Sequence, residues 1–253
     1  MKALIKIGGS LLDEAAARNE IARQIVEIVE GGAAVTVVHG GGKQMTRFLE
    51  ERGVKSTFIG GLRVTTEETI DAVLKVLAGT VNTQLVAALG ARAVGLTGID
   101  AKLATAEQLN PELGYVGKVV ASDSRLLDVL TAAGYLPVVA CVAGGRTDEV
   151  YNVNGDSMAV AVASKWKVER LVFLTDVSGV MDATKTVLPK LTVADCRGLI
   201  GSGIAAGGMQ AKLNAAMDAV TSGVGEVRIV KGSERDIVLR VFSGEEVGTK
   251  VVS

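Results

Sequence analysis

Short, β-rich apolar runs that end in glycine turns and hand over to helical periodicity recur along this chain, and that alternation limits the folds open to it. Residues 3–7 (ALIKI) are followed by GGS, and the spacing of Ile21, Ile25, Ile28 and Val29 then marks one helical face, ended by Gly31-Gly32. Residues 33–38 (AAVTVV) form the next run, followed by HGGG and a helix over 43–52. Residues 55–65 are short and glycine-broken, a hairpin or loop. Residues 66–77 and 81–89 read as helix, one element kinked at Gly79, and 93–97 as strand. A β-hairpin excursion is expected within 103–120, then helix 124–133, strand 135–140 and an alanine-rich helix over 156–164. Strand 171–174, helices 193–200 and 209–222 and strand 227–230 continue the alternation, with edge strands expected near 238–239 and 250–252. This spacing predicts an α/β fold: an open, mainly parallel sheet covered on both faces. Ligands on such sheets gather beyond the carboxyl ends of the strands, where the glycine turns fall. No linker or repeat divides the chain, so one domain is expected.

Composition narrows the partners. The 31 glycines in 253 residues exceed an average usage of about 7%. They follow no collagen period and sit in a chain that is 48% hydrophobic, which rules out a triple helix or disorder. With 27 Lys+Arg against 28 Asp+Glu and 3% aromatics, there is no basic footprint and few stacking platforms, which argues against nucleic acid. Cys141 and Cys196 lie far apart, and the single His39 cannot complete a zinc set. Two free thiols fit a reducing cytosol. The N-terminal apolar segment is too short for a signal peptide. No window reaches the roughly 18 apolar residues of a membrane span, so a soluble cytoplasmic protein without membrane contact is expected.

Position gives some of the glycines a chemical reading. Lys6, Gly8, Gly9 and Ser10 close the first strand; a lysine in an apolar run emerges at the sheet edge, and paired glycines let backbone N–H groups face an anion. The HGGGK segment, from His39 through Gly40, Gly41 and Gly42 to Lys43, exposes N–H donors at a helix start. It is not a P-loop, because that motif needs Gly and Ser/Thr where this chain has Val37 and Gln44. Gly201, Gly203 and Gly207 follow a helix rather than a strand, which argues against a dinucleotide fingerprint and for a flexible loop entering the helix that carries Lys212. In YNVNGD, Asn152, Asn154 and Asp156 stand at the mouth of an Ala/Val helix; Asp156 is open to two readings, helix cap or site carboxylate. Thr175, Asp176, Ser178 and Gly179 end another strand, as an ordinary turn or as part of a site. Two lysines, a carboxylate between them and glycine-rich amides suit phosphoryl transfer, and equally phosphate binding without chemistry.

In order, KIGGS, HGGGKQ, GLRVT, NVNGD, LTDVSGV and GGMQAK make the chain resemble the amino-acid kinase superfamily over nearly its whole length, and within it the bacterial N-acetyl-L-glutamate kinases. The resemblance implies a three-layer α/β/α sandwich, with an N-terminal lobe (about 1–165) for the acyl-amino acid and dimerisation and a C-terminal lobe (about 166–253) for ATP. It implies that Lys6 and Lys212 stabilise the transferring phosphoryl group, that Asp156 orients both, and that Gly9 and the Gly41 backbone contact phosphoryl oxygens. Gly41, Gly42, Arg63 and Asn152 match the acceptor positions; Arg63 suits a carboxylate bidentately. Gly8, the run Asp176, Val177, Ser178, Gly179, Val180 and Met181, and Ile204, Ala205 and Ala206 match stretches around the nucleotide. Magnesium would be held mainly by ATP phosphates, with no protein metal site.

The implied reaction is ATP + N-acetyl-L-glutamate → ADP + N-acetyl-L-glutamyl 5-phosphate, feeding arginine synthesis. A carboxylate acceptor is already ionised at neutral pH, so no general base is required, which favours a positioning role for His39. Starting at the first strand, the chain reads as the short, arginine-insensitive, homodimeric kind. The alternatives are a related acyl-amino acid kinase, such as a carrier-protein-linked α-aminoadipate kinase of lysine synthesis, or a non-catalytic amino-acid or nucleotide sensor; Lys6, Asp156 and Lys212 together argue against the sensor. Regulation by a PII-type partner is not legible in the sequence.

Overall fold

The structure, a computed structural model, describes residues 1–253. Its first strand, β1 (Lys2–Ile7), is buried from Ala3 onward, as a run apolar on both faces requires at the centre of a parallel sheet. The chain continues through α1 (Ala15–Glu30), β2 (Ala34–His39), α2 (Gly42–Glu50), the short hairpin β3 (Phe58–Ile59) and β4 (Leu62–Arg63), α3 (Glu67–Val73), a π-helical segment (Leu74–Val81) and α4 (Asn82–Leu89). Next come β5 (Ala93–Thr97), β6 (Thr105–Gln108), β7 (Val116–Ala121), α5 (Arg125–Ala132), β8 (Leu136–Ala140), β9 (Val142–Gly144), β10 (Val150–Val153) and α6 (Gly155–Trp166). The C-terminal part holds β11 (Arg170–Thr175), β12 (Lys190–Thr192), α7 (Val193–Gly201), α8 (Gly207–Thr221), β13 (Glu226–Lys231), α9 (Ile237–Phe242) and β14 (Thr249–Val252).

Eight strands form one sheet in the order β12-β14-β13-β11-β1-β2-β8-β5. All neighbours from β13 to β5 run parallel, while β14 opposes β13 and β12 follows β14. Helices α1, α4 and α9 pack together on one side, and α6, α7 and α8 on the other, giving the expected three layers. The register sets Ile7 beside both His39 and Leu174, and His39 beside Ala140. The carboxyl edge of the central strands therefore gathers the KIGGS and HGGG turns in one place. Strands contributed before residue 166 occupy one half of the sheet and those after it the other.

Five local expectations are corrected. Residues 238–239 are not an edge strand but part of α9, whose Ile237, Val238 and Val241 are buried against α1; the Val238 N–H donates to Gln24 Oε1 at 2.9 Å. Tertiary burial overrides the β preference of a branched run there. Strand β14 exists but is interior, and β12 is the edge. The excursion within 103–120 does hold the antiparallel pair β6 and β7, yet with β9 and β10 it closes into a separate small barrel. In place of a kink at Gly79, the helix from Glu67 to Leu89 runs through a π-helical stretch. That 23-residue helix is long and apolar enough to cross a membrane by length and composition, against the expectation of no such window. Its Val73, Val76, Leu77, Val81, Leu85 and Leu89 are buried in the core.

Candidate active site

Lys6 leaves the carboxyl end of β1 only 8% exposed, and a buried ammonium needs a partner. Its Nζ lies 2.7 Å from Asp156 Oδ1. Lys212, in the second turn of α8, donates to Asp156 Oδ2 at 3.0 Å. One carboxylate thus ties together the central strand, the start of α6 and α8. Burial acts to raise the Asp156 pKa, but Lys6 and Lys212 outweigh it and hold the carboxyl below its ordinary value. Two cations over one anion leave a net positive charge at the mouth of the sheet.

Asp156 does not cap its helix. Asn154 does: its Oδ1 accepts from the N–H groups of Asp156 at 3.0 Å and Ser157 at 3.1 Å. The Asp156 side chain is thereby free to face the lysines, in a first turn whose dipole favours a carboxylate. Gly155 lets the helix start close to β1, since a Cβ there would lie 3.2 Å from Lys6 Cε. The signal for Asn154 is in the sequence: Asn just before a Gly-Asp helix start is a preferred N-cap.

The two glycine turns pack backbone to backbone. A Cβ on Gly9 would lie 3.0 Å from Gly42 N and 3.2 Å from Gly41 N. Gln44 Nε2 donates to Gly9 O at 3.0 Å and pins the turns together; it was not singled out from the sequence. The Gly8 N–H is committed to Leu174 O at 3.2 Å, so this amide holds β1 to β11 and is not open to a ligand.

Gly41, Gly42, Arg63 and Asn152, the acceptor positions implied by the family resemblance, line one cavity of about 180 Å³, with Leu77 and Cys141 on its apolar wall. Arg63 is anchored by Gly42 O at 3.1 Å, Thr46 Oγ1 at 2.7 Å and the Ser56 hydroxyl, and stacks over the Phe58 ring. Asn152 Nδ2 donates to Thr65 Oγ1 at 3.1 Å. A wider groove of about 680 Å³ holds Lys6, Asp156, Lys212, Gly207 and Gly208, and shares Gly61, Leu62, Asn154 and Gly155 with the first cavity. The two spaces adjoin along the β3–β4 hairpin and the start of α6.

The residues expected around a nucleotide line neither of these two spaces. Asp176 is exposed and shares an open groove with Gly9, Ser10 and Lys43. Val177 and Ser178 are half-buried. A Cβ on Gly179 would lie 2.7 Å from Thr249 Oγ1, and the Val180 N–H donates to that oxygen at 2.8 Å. Val180 and Ala205 are buried in the core, which leaves their side chains no route to a ligand, whereas Met181, Ile204 and Ala206 are exposed. Cys141 and Cys196 are both free and buried.

His39, fully buried, has Nδ1 3.0 Å from Gly40 O and Nε2 2.9 Å from Asn82 Nδ2. Burial pushes its pKa down to about 4, so it is neutral at physiological pH. Asn82 is a buried polar residue in an apolar helix, with no sequence motif to mark it.

Comparison with known proteins agrees with this geometry. The amino acid kinase family model matches residues 1–231. An acetylglutamate kinase of Solibacter usitatus is 59% identical over 100% of both chains, and one of Acidobacterium capsulatum is 42% identical over 98% of this chain and 99% of its own. The solved structure of smu.665 from Streptococcus mutans is 26% identical, with a TM-score of 0.85 over 99% of this chain and 98% of that one. Motif order, fold and relatives agree, and the chain belongs to the amino acid kinase family, among its acetylglutamate kinases.

Proposed function

We propose that this protein transfers the γ-phosphoryl group of ATP to the side-chain carboxylate of N-acetyl-L-glutamate, giving ADP and N-acetyl-L-glutamyl 5-phosphate. The observation that carries this reading is the buried Lys6–Asp156–Lys212 constellation opening onto the cavity of Arg63 and Asn152. The acceptor lies in that cavity with its α-carboxylate toward the Arg63 guanidinium. Its side-chain carboxylate points toward the lysines and attacks the γ-phosphorus in line. Lys6 and Lys212 offset charge on the phosphoryl oxygens, while Asp156 fixes both ammonium groups before the reaction begins. The amides of the Gly9 and Gly41 turns supply donors without side-chain bulk.

ATP occupies the C-terminal half, with the backbone from Asp176 to Met181 and around Ile204 to Ala206 beside it. The lysines and the glycine backbone fit a polyphosphate. No set of three carboxylate, imidazole or thiolate groups could hold a metal; magnesium carried by the phosphate oxygens needs none, and supplies charge neutralisation there. The N-terminal half forms a homodimer, and the two buried free thiols support a cytoplasmic setting.

The test is ADP release by the purified protein with ATP and, in turn, N-acetylglutamate, glutamate, aspartate, carbamate and a carrier-linked aminoadipate. N-acetylglutamate is expected to be the preferred acceptor. No release with it, or faster release with the carrier-linked substrate, overturns the assignment.

A further inference from the structure

His39 is the single histidine of the chain, and a reaction on an ionised carboxylate has no use for it as a base. Its surroundings assign it another task. Asn82 Nδ2 lies 2.9 Å from His39 Nε2 and 2.9 Å from Val138 O. A carbonyl can only accept, so Val138 fixes which end of the Asn82 amide faces inward; the NH2 group therefore donates to Nε2 as well. Nε2 is then the bare nitrogen and Nδ1 carries the proton, donated to Gly40 O at 3.0 Å.

That bond controls an amide. In a trans peptide the C=O of one residue and the N–H of the next point in opposite directions. Holding Gly40 O against the imidazole turns the Gly41 N–H away from the ring, and the Gly41 nitrogen sits beside the Gly9 turn, where a Cβ on Gly9 would lie 3.2 Å from it. The Gly41 N–H donates to no group of the protein. From the opposite flank the π-helical stretch presses Leu77 and Val81 against Gly41, leaving no space for a Cβ on that side. Asn82 is the residue on which that stretch ends. A π-turn here lets one helix both close the flank of Gly41 and deliver Asn82 to the ring.

We infer that His39 and Asn82 are positioning residues: Asn82 selects the neutral Nδ1–H imidazole, which holds the Gly40 carbonyl and so aims the Gly41 N–H into the cleft at the transferring phosphoryl group. The last step rests on the kinase reading above; the tautomer and the peptide orientation do not.

Two measurements test it. In ¹⁵N-labelled protein at pH 7, the one histidine gives one ring spin system, expected to show a protonated Nδ1 and a bare Nε2. The opposite tautomer or an imidazolium overturns the inference. The second compares His39→Asn with His39→Gln in the ADP-release assay. The Asn amide nitrogen reaches the Nδ1 position and keeps the bond to Gly40, whereas Gln reaches only the Nε2 position and keeps the Asn82 side. His39→Gln is expected to lose kcat by about 10²-fold, the cost of a small misplacement at the reacting centre, with KM for the acceptor unchanged, while His39→Asn stays within about tenfold of the parent. A His39→Gln enzyme with parental kcat, or losses that merely follow the melting temperature of each variant, overturns the inference alone. No turnover by the unmodified protein overturns the kinase reading and the phosphoryl part of the inference with it.

Discussion

Asp156 decides what Lys6 and Lys212 can do, because without it two nearby cations face each other with no anion between them. Removing the carboxylate from this nearly buried group leaves an uncompensated charge, which typically costs about 3–5 kcal/mol. Asp156→Ala is therefore expected to lower the urea midpoint and to abolish most ADP release; unchanged turnover would sink the orienting role. Lys212→Ala is expected to behave differently. Lys212 is partly exposed, so stability changes little, and kcat falls by about 10²-fold or more while the acceptor still binds. Calorimetric titration with N-acetylglutamate beside single-turnover kinetics separates the two effects. The identities of these three residues were legible in the sequence. That Asp156 is not a helix cap was not, since an Asp and an Asn two positions apart are both competent caps and only the backbone start of α6 selects Asn154.

At the scale of elements, the glycine turns work because neighbouring elements come close enough to exclude side chains. On Gly41, an added methyl would collide with Leu77 of the π-helical stretch. Gly41→Ala is expected to destabilise the fold by about 1–3 kcal/mol, as overpacking in a dense core does. Leu77→Ala in the same chain should recover part of that loss relative to the sum of the single changes, read as a double-mutant cycle in urea; strict additivity would show that the two do not touch. The strand–turn–helix order of this region was readable from apolar periodicity. The π-turn was not, because the wider winding over Leu74–Val81 leaves no distinct spacing in a run as largely apolar as VLKVLAGTV. The same holds for α9, where contact with α1 outweighs local preference.

On the scale of the whole molecule, a second cluster of buried charge sits at the end of the sheet opposite the Lys6–Asp156–Lys212 constellation. Glu226, at the start of β13, meets Arg170, Arg228 at 3.6 Å and Lys250 at 2.5 Å, far along the strands from the carboxyl edge. Burial raises its pKa, but these three cations prevail and keep it low. Glu226→Gln is expected to cost a few kcal/mol in urea unfolding, about 3 by analogy with other broken buried pairs, while kcat stays at the parental value. A matching fall in kcat would tie this cluster to the site. His39 gives the molecule a second signature. Its folded pKa of about 4 lies below the unfolded value of about 6.5. Between these values the unfolded chain binds a proton that the folded chain refuses, so stability rises with pH across the window and is lost as pH falls through it. The loss amounts to about 3 kcal/mol from pH 7 to pH 4. Urea midpoints over this range should drop more steeply for the parent than for His39→Asn.

By itself, the sequence determined the alternation of strand and helix, the parallel sheet and the residue types of the site, because burial on both faces and glycine turns impose local patterns that a chain cannot hide. Only the tertiary structure decided how Lys6, Asp156 and Lys212 meet, that Arg63 and Asn152 share a cavity, that four short strands close a barrel, and that Asn82 reaches His39. Each of these joins segments between 43 and 206 residues apart or strands with no telling pattern of their own. Such contacts are fixed by packing and hydrogen-bond satisfaction between elements, which no local period encodes.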